Sequence, residues 1–301
     1  MKLYLAGGIS GNLKPDFQKS MKIFLAGQNG RRWCCEEYWK TFINELPDNQ
    51  KGEYMKLFLA DTGLKKAYVD EDTWKQNSVY ILESFYYVDE WLEKHIPLFK
   101  DFLLDSGAFT FFTAGHKNIN WEEYVDKYAD FINRNDIKYF FELDIDKLIG
   151  YDRVLELRKR LETKTGKQCI PVWHKFRGKQ NFLDMCDEYK YVAIGGIVSG
   201  EIKKEEYPMF TWLINEAHKR GCKIHGLGFT NLEGLTKYNF DSVDSTSWTT
   251  GNRFGAIYRF NGKTMEKYGK KSGQRLSDSR KVALNNFAEW VKFQQYADIH
   301  L

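Results

Sequence analysis

The stretch LLDSGAF, residues 103–109, is an apolar run of strand length that ends in a carboxylate and a small-residue turn. Four further segments repeat this form: FELDID (141–146), PVWH (171–174), AIGGIVSGE (193–201) and DSVDSTSW (241–248). Each is followed by a helix-like stretch, and its polar residues stand at the C-terminal end of the run. Parallel strands alternating with helices collect such ends on one rim, where a (β/α) barrel carries its chemistry. Successive ends at Asp105, Asp144, His174, Gly195, His225 and Asp244 lie 39, 30, 21, 30 and 19 residues apart, the lengths of βα units. The expected fold is therefore α/β, a (β/α)8 TIM-like barrel.

The covering helices follow from periodicity. WEEYVDKYADFINRN (121–135) sets Trp121, Tyr124, Val125, Tyr128, Phe131 and Ile132 on one face and leaves Glu122, Glu123, Asp126 and Lys127 outside. A second helix begins near Asp152, turns Val154, Leu155, Leu157 and Leu161 inward and stops at Gly166. Others are expected at about 179–189, 205–220 and 231–238. A closing helix at about 277–296, capped by Ser277 or Asp278, carries Val282, Leu284, Phe287, Trp290, Val291 and Phe293 as a core stripe. Upstream, MKLYLAG (1–7), MKIFLAG (21–27) and MKLFLAD (55–61) are three similar strand-like pieces. Their unequal intervals fit duplicated edge strands or an elaborated barrel opening better than a solenoid. The expected organisation is one domain over 1–301, with an elaborated part to residue 80, a barrel core over 81–260, and a basic segment with the closing helix over 261–301.

A chain of 301 residues with 43% hydrophobic and 16% aromatic residues can bury an ample core. No apolar run approaches the roughly 20 residues of a membrane span, and the start lacks the features of a signal peptide. A cytosolic protein is expected. Five cysteines (Cys34, Cys35, Cys169, Cys186, Cys222) with no CxxC pair speak against a disulfide framework and a structural zinc. Neither a metal nor a cofactor is expected. The net charge of +4 is concentrated: residues 252–281 hold nine Lys or Arg against Glu266 and Asp278. Arg253, Arg259, Lys263, Lys267, Lys270, Lys271 and Arg275 could hold phosphates, and the interleaved Phe254, Tyr258, Phe260 and Tyr268 could stack on bases. A solvated loop would have a similar composition.

Two carboxylates on different strands of one rim can divide glycosidic chemistry between a nucleophile and an acid/base. Asp105, before the turn Ser106-Gly107-Ala108-Phe109, and Asp244, before Ser245-Thr246-Ser247-Trp248, are the candidates; each could alternatively cap the next helix. Asp144 and Asp146, two apart on an extended strand, point to one face. A carboxylate there could accept the amidine-like N–H edge of a guanine-type base, with Asp144 favoured and the other left to cap the helix near 151. His174 could hydrogen-bond to or stack on a base, or simply pack. Gly195 and Gly196 expose backbone amides that could bind a carbonyl oxygen.

This ordered series resembles the tRNA-guanine transglycosylase superfamily. DSGAF (105–109) is similar to its DSGGF, AIGGIVSGE (193–201) to its LGGLAVGE, HGLGFT (225–230) to its MGVGTP, and the Asp241–Asp244 segment to its GVDMFD. The resemblance covers about residues 100–255. It implies Asp105 as general acid/base and Asp244 as covalent nucleophile. It places Asp144, His174 and Gly196 where the family reads its base; His225 is a further candidate for contact with the base, and Phe109 or Trp248 could stack on it. His174 stands where the family usually has Gln, and the family's zinc-binding cysteine cluster is replaced by the basic-aromatic stretch from Gly251 to Arg280. With ILESFYY (81–87) and the short chain, the likeness is closer to the phage-encoded branch that exchanges guanine in DNA for a free 7-deazaguanine base, which would place the protein in the host cytoplasm. The alternatives are the same chemistry on tRNA, a nucleoside deoxyribosyltransferase, whose opening MKLYLAGGISG resembles, and an inactive barrel retained for nucleic-acid binding.

Overall fold

The computed structural model describes residues 55–60, 79–114, 119–249, 255–269 and 279–301. The first two Met-Lys segments, Arg253, Phe254, Lys270, Lys271, Arg275 and both proposed caps of the closing helix lie outside the described residues. Everything described belongs to the unit Glu53–Leu301.

Eight strands form the barrel: β1 (Lys56–Ala60), β2 (Tyr80–Ser84), β3 (Asp101–Asp105), β4 (Tyr139–Phe140), β5 (Val172–Trp173), β6 (Tyr191–Ile194), β7 (Lys223–Gly226) and β8 (Ser242–Ser245). Their order is β4-β3-β2-β1-β8-β7-β6-β5, and every neighbouring pair is parallel. The two ends of that sheet meet in a parallel bridge between Phe141 and Ile170, so the eight strands form a ring. The expected (β/α)8 TIM-like fold is thus present. β1, from the third Met-Lys segment, sits between β2 and β8, so the ring includes Lys56–Ala60, ahead of the core expected over 81–260.

Strand alternation divides the core in two. Phe58, Ala60, Tyr80, Leu82, Leu103, Phe141, Ile170, Val172 and Ala193 fill the barrel interior, while the intervening residues meet the helices outside. Those helices are α1 (Glu90–His95), α2 (Ala108–Thr113), α3 (Trp121–Arg134), α4 (Asp146–Ile149), α5 (Tyr151–Thr165), α6 (Gly178–Glu188), α7 (Met209–Lys219), α8 (Leu232–Leu235) and α9 (Ser279–His300). Asn120 caps α3 by accepting the Glu123 N–H at 3.1 Å, and Gly166 ends α5 in the left-handed region. Leu155 is an exception to the expected inward face of α5, being 38% exposed.

Helix α9 closes the barrel beside β1 and is oriented by two buried amides. Near its start, Asn286 donates to Trp248 O and Ala256 O and accepts from Tyr258 N; further on, Gln294 donates to Leu57 O and Tyr80 O and accepts from Tyr80 N. The helix therefore runs from the strands' C-terminal ends to their N-terminal ends. A hairpin of β9 (Ala256–Phe260) and β10 (Met265–Gly269) lies along it, with Tyr258 against Trp290 and Phe260 against Phe293 and Tyr296. Among the described residues no helix is long and apolar enough to cross a membrane.

Candidate functional site

Asp105 ends β3 at the barrel mouth. Its Oδ2 accepts the Gly107 N–H at 3.0 Å, and Gly107 adopts φ +66°, the left-handed region that admits glycine most readily. A Cβ on Gly107 would approach Ser84 Oγ to 2.6 Å and Tyr86 N to 2.7 Å, so the turn is closed to side chains for a second reason. Ser106 is buried, and its carbonyl accepts the Tyr124 hydroxyl at 2.6 Å, which ties the turn to α3. Burial pushes the Asp105 carboxyl up to about 6 against the lowering effect of the Gly107 N–H, and the charges of Asp144 and Asp244 push in the same direction as burial. These three carboxylates, at the ends of β3 and β8 and in the segment after β4, thus share one mouth. The side chain of Phe109 lies outside the described residues.

Asp244 is held from beneath and from the side. Its Oδ1 accepts the Gly228 N–H at 2.6 Å and meets His225 Nε2 at 3.1 Å. His225 lies completely buried under Asp244, so its expected contact with a bound base is corrected: it touches the carboxylate instead.

Asp144 and His174 form a second group, flanking the junction of β4 and β5. His174 Nε2 meets Asp144 Oδ1 at 2.7 Å, and its Nδ1 meets Glu201 Oε2 at 3.1 Å, where Lys147 Nζ also lies 3.0 Å away. Burial works to lower the His174 pKa, but Asp144, Asp146 and Glu201 outweigh it and the value is raised. Two carboxylate acceptors on two ring nitrogens call for the imidazolium, which donates from both. This corrects the expectation that His174 binds a base through its nitrogens. Gly195 makes the arrangement possible, because a Cβ there would meet His174 Cε1 at 2.9 Å, and its own N–H is already given to Trp173 O. The amide of Gly195 is therefore not available to a ligand. Gly196, at φ +81°, similarly leaves room for Glu201.

Asp146 begins α4 rather than pairing with Asp144 towards a base. Its carboxylate is bound by the buried guanidinium of Arg177, which also donates to Val172 O at 2.6 Å and lies 4.1 Å from the Tyr151 ring. Asp144, Asp146 and His174 bring ligand atoms within 4.8 Å of one another. A cation there would have to displace Arg177 from Asp146 and the His174 proton from Asp144. As it stands, three carboxylates (Asp144, Asp146, Glu201) face three cations (Lys147, Arg177, His174).

Two further expectations change. Trp248 is 1% exposed, donates its indole N–H to Ala60 O at 2.8 Å and packs edge-on against Phe287 at 5.6 Å, so it is a core residue and cannot stack on a base. Tyr258 is buried and Phe260 half-buried against α9, which removes them as stacking platforms. Arg259, Lys263 and Lys267 are exposed, but the hairpin runs down the outer wall and its turn, with Lys263, is nearest the strands' N-terminal ends. An open cleft of about 570 Å³ between hairpin and α9, lined by Ile257, Arg259, Tyr268 and Lys292 among others, lies on that wall and not at the carboxylates. An aromatic that the sequence reading missed stands at the mouth: Phe176, 57% exposed after β5, lies nearly parallel to the His174 ring at 5.6 Å. Glu201 is a second; its proximity to His174 depends on how the loop after β6 folds back, which no local pattern reveals.

No family model and no curated protein matches the sequence. Solved structures that resemble the fold include a protein assigned as a fructose-1,6-biphosphate aldolase from Coccidioides immitis, with 11% identity, a TM-score of 0.51, and coverage of 82% of this chain and 90% of that one. Others are QR15, an aldolase (14% identity, TM-score 0.41, 65% and 90% covered), and a mutant tryptophan synthase α-subunit from Pyrococcus furiosus (13% identity, TM-score 0.42, 64% and 86% covered). At such identities the likeness concerns the barrel alone.

Proposed function

We propose that this barrel is an enzyme that exchanges a nucleobase on a nucleic acid, replacing guanine in DNA with a 7-deazaguanine such as the 7-cyano form. The observation that carries the reading is the unequal environment of two rim carboxylates: Asp105 is pushed up to about 6, whereas Asp244 receives two donors on one oxygen. A carboxyl that burial keeps protonated to higher pH suits the acid, and one whose oxygen is fixed by two hydrogen bonds suits the nucleophile. Asp244 attacks C1′ of the nucleotide, the C1′–N9 bond breaks, and its electron pair leaves on the purine, which takes the proton of Asp105. The Asp105 carboxylate then removes the N9 proton of the incoming base, whose nitrogen attacks C1′ and displaces Asp244. A stacked duplex hides C1′, so the base must be turned out of the helix, and Phe176 supplies an exposed ring for stacking at the mouth. Asp144 accepts N–H groups of the base with the oxygen that His174 does not hold. Arg259 and Lys267, with Arg253, Lys270, Lys271 and Arg275, supply the phosphate contacts in this reading, while Lys263, in the turn nearest the strands' N-terminal ends, does not.

The test is incubation with labelled 7-cyano-7-deazaguanine and DNA, with tRNA and free deoxynucleosides in parallel, followed by nucleoside mass spectrometry. Label in DNA that Asp244→Ala abolishes is the expected result. Label only in tRNA or only in free nucleosides moves the activity to that substrate, and label in none refutes base exchange.

A further inference from the structure

The hydrogen bonds beneath Asp244 continue into the barrel interior. His225 lies among the Phe58 and Phe141 rings at 6.3 and 5.2 Å, with Nε2 at 3.1 Å from Asp244 Oδ1 and Nδ1 at 2.5 Å from Ser242 Oγ. Ser242 Oγ in turn meets the hydroxyl of Tyr191. The three supports come from the adjacent strands β6, β7 and β8, in which His225 is directly opposite Ser242. All are buried or nearly so, and none can reach a substrate.

A neutral imidazole donates from one nitrogen and accepts at the other, so such a chain can run in either of two directions. The carboxylate end selects one: an anion can only accept, so His225 Nε2–H donates to Asp244 Oδ1 and Nδ1 is left to accept from the Ser242 hydroxyl. Ser242 Oγ then has a lone pair for the Tyr191 hydroxyl, whose proton burial and the nearby Asp241 and Asp101 retain far above the ordinary phenol range.

We infer that Tyr191, Ser242 and His225 form a positioning device for Asp244, which fixes the His225 tautomer and holds the carboxylate with Oδ1 engaged and Oδ2 directed to the reaction. The inference rests on the reading of Asp244 as nucleophile. The Gly228 N–H shares Oδ1, and among the described residues the carboxyl of Asp105, which also feels Asp144, lies within electrostatic reach. Tyr139, Asp101 and Asp241 surround the Tyr191 end.

The experiment uses the full chain labelled with carboxyl-13C aspartate, the Asp244 signal being identified by its loss in Asp244→Asn. Its titration is followed in the wild type, Ser242→Ala and Tyr191→Phe, alongside base-exchange kinetics and thermal midpoints. Without Ser242 the imidazole loses the donor that fixes its tautomer. The Asp244 midpoint then rises by about one unit, equivalent to about tenfold, and kcat falls by a similar factor with KM within about twofold. Tyr191→Phe gives a smaller change of the same sign, and it decides the matter if Ser242→Ala fails to fold. An Asp244 midpoint unchanged in the folded variants overturns the inference. A wild type that exchanges no base refutes the proposed function instead, while the carboxyl titration still decides what the chain does.

Discussion

Replacing Glu142 with Gln tests how the ring is held at its narrowest junction. Between β4 and β5 the backbone contributes Ile170 N to Phe140 O at 2.8 Å and Glu142 N to Ile170 O at 3.1 Å. The Glu142 side chain completes the seam: Oε1 accepts the Val172 N–H at 2.7 Å, and Oε2 pairs with Arg158 Nε at 2.7 Å, both groups being buried. A Gln amide can still accept from Val172 but presents an N–H to the guanidinium. An uncompensated buried cation costs about 3–5 kcal/mol, against a total stability of roughly 5–15 kcal/mol. For a chain of this size that lowers the thermal midpoint by about 10 °C. Replacing both Glu142 and Arg158 with Leu removes the lone charge, recovers most of the loss, and leaves the unpaired Val172 N–H at about 1–3 kcal/mol. Urea unfolding of Glu142→Gln and of the double variant measures these terms. A loss below about 1 kcal/mol in Glu142→Gln, or a double variant no more stable than the single, refutes the account.

The raised carboxyl of Asp105 makes the fold favour its protonated form. Its contribution is complete below the ordinary aspartate value and lost as pH rises to about 6, so Asp105→Asn flattens the stability profile over that interval in pH-dependent unfolding. In the exchange assay, the wild-type rate should show a limb near pH 6 that this variant lacks. His174 has the raised-histidine sign: its contribution is complete below the ordinary imidazole value and declines as pH passes the higher folded value, and nitrogen NMR should find the doubly protonated ring persisting above the ordinary imidazole value. Gly107→Ala forces a methyl to within 2.7 Å of Tyr86 N in a left-handed turn; thermal unfolding should show a loss of more than about 1 kcal/mol, and base exchange should cease. Trp248→Phe should cost about 1–3 kcal/mol through the loss of the bond to Ala60 O, with the KM for the nucleic acid unchanged; a rise in KM would restore Trp248 as a stacking residue.

The barrel was legible because its signal is local. The runs that end at Asp105, His174, Gly195 and Asp244 each carry their own strand length and turn, and the rim follows from repetition. The two rim aspartates could be read for the same reason. What no local pattern carries is the partner across the ring. Glu142 reads as one more polar residue in FELDID until closure brings Arg158 and Val172 to it. His225 and Trp248 sit in motifs that suggest contact with a ligand, yet a neighbouring strand covers each: Ser242 and Asp244 occupy the imidazole, and Ala60 takes the indole. The basic stretch shows composition without direction, and only the amides of Asn286 and Gln294 reveal that the hairpin descends away from the mouth.

Gln294 also sets a timetable for synthesis. Its amide holds Leu57 O across 237 residues of sequence, and the two strands beside β1 are unequal in time: β2 follows almost at once, β8 only near the end. At about 5–20 residues per second, the ribosome needs roughly 10–50 s to deliver Gln294 after Leu57. During that interval KLFLA, among the most apolar strands in the ring, has one edge without a neighbour. A nascent chain of this protein therefore offers holding chaperones an apolar segment whose second edge stays open until β8 and α9 have been made.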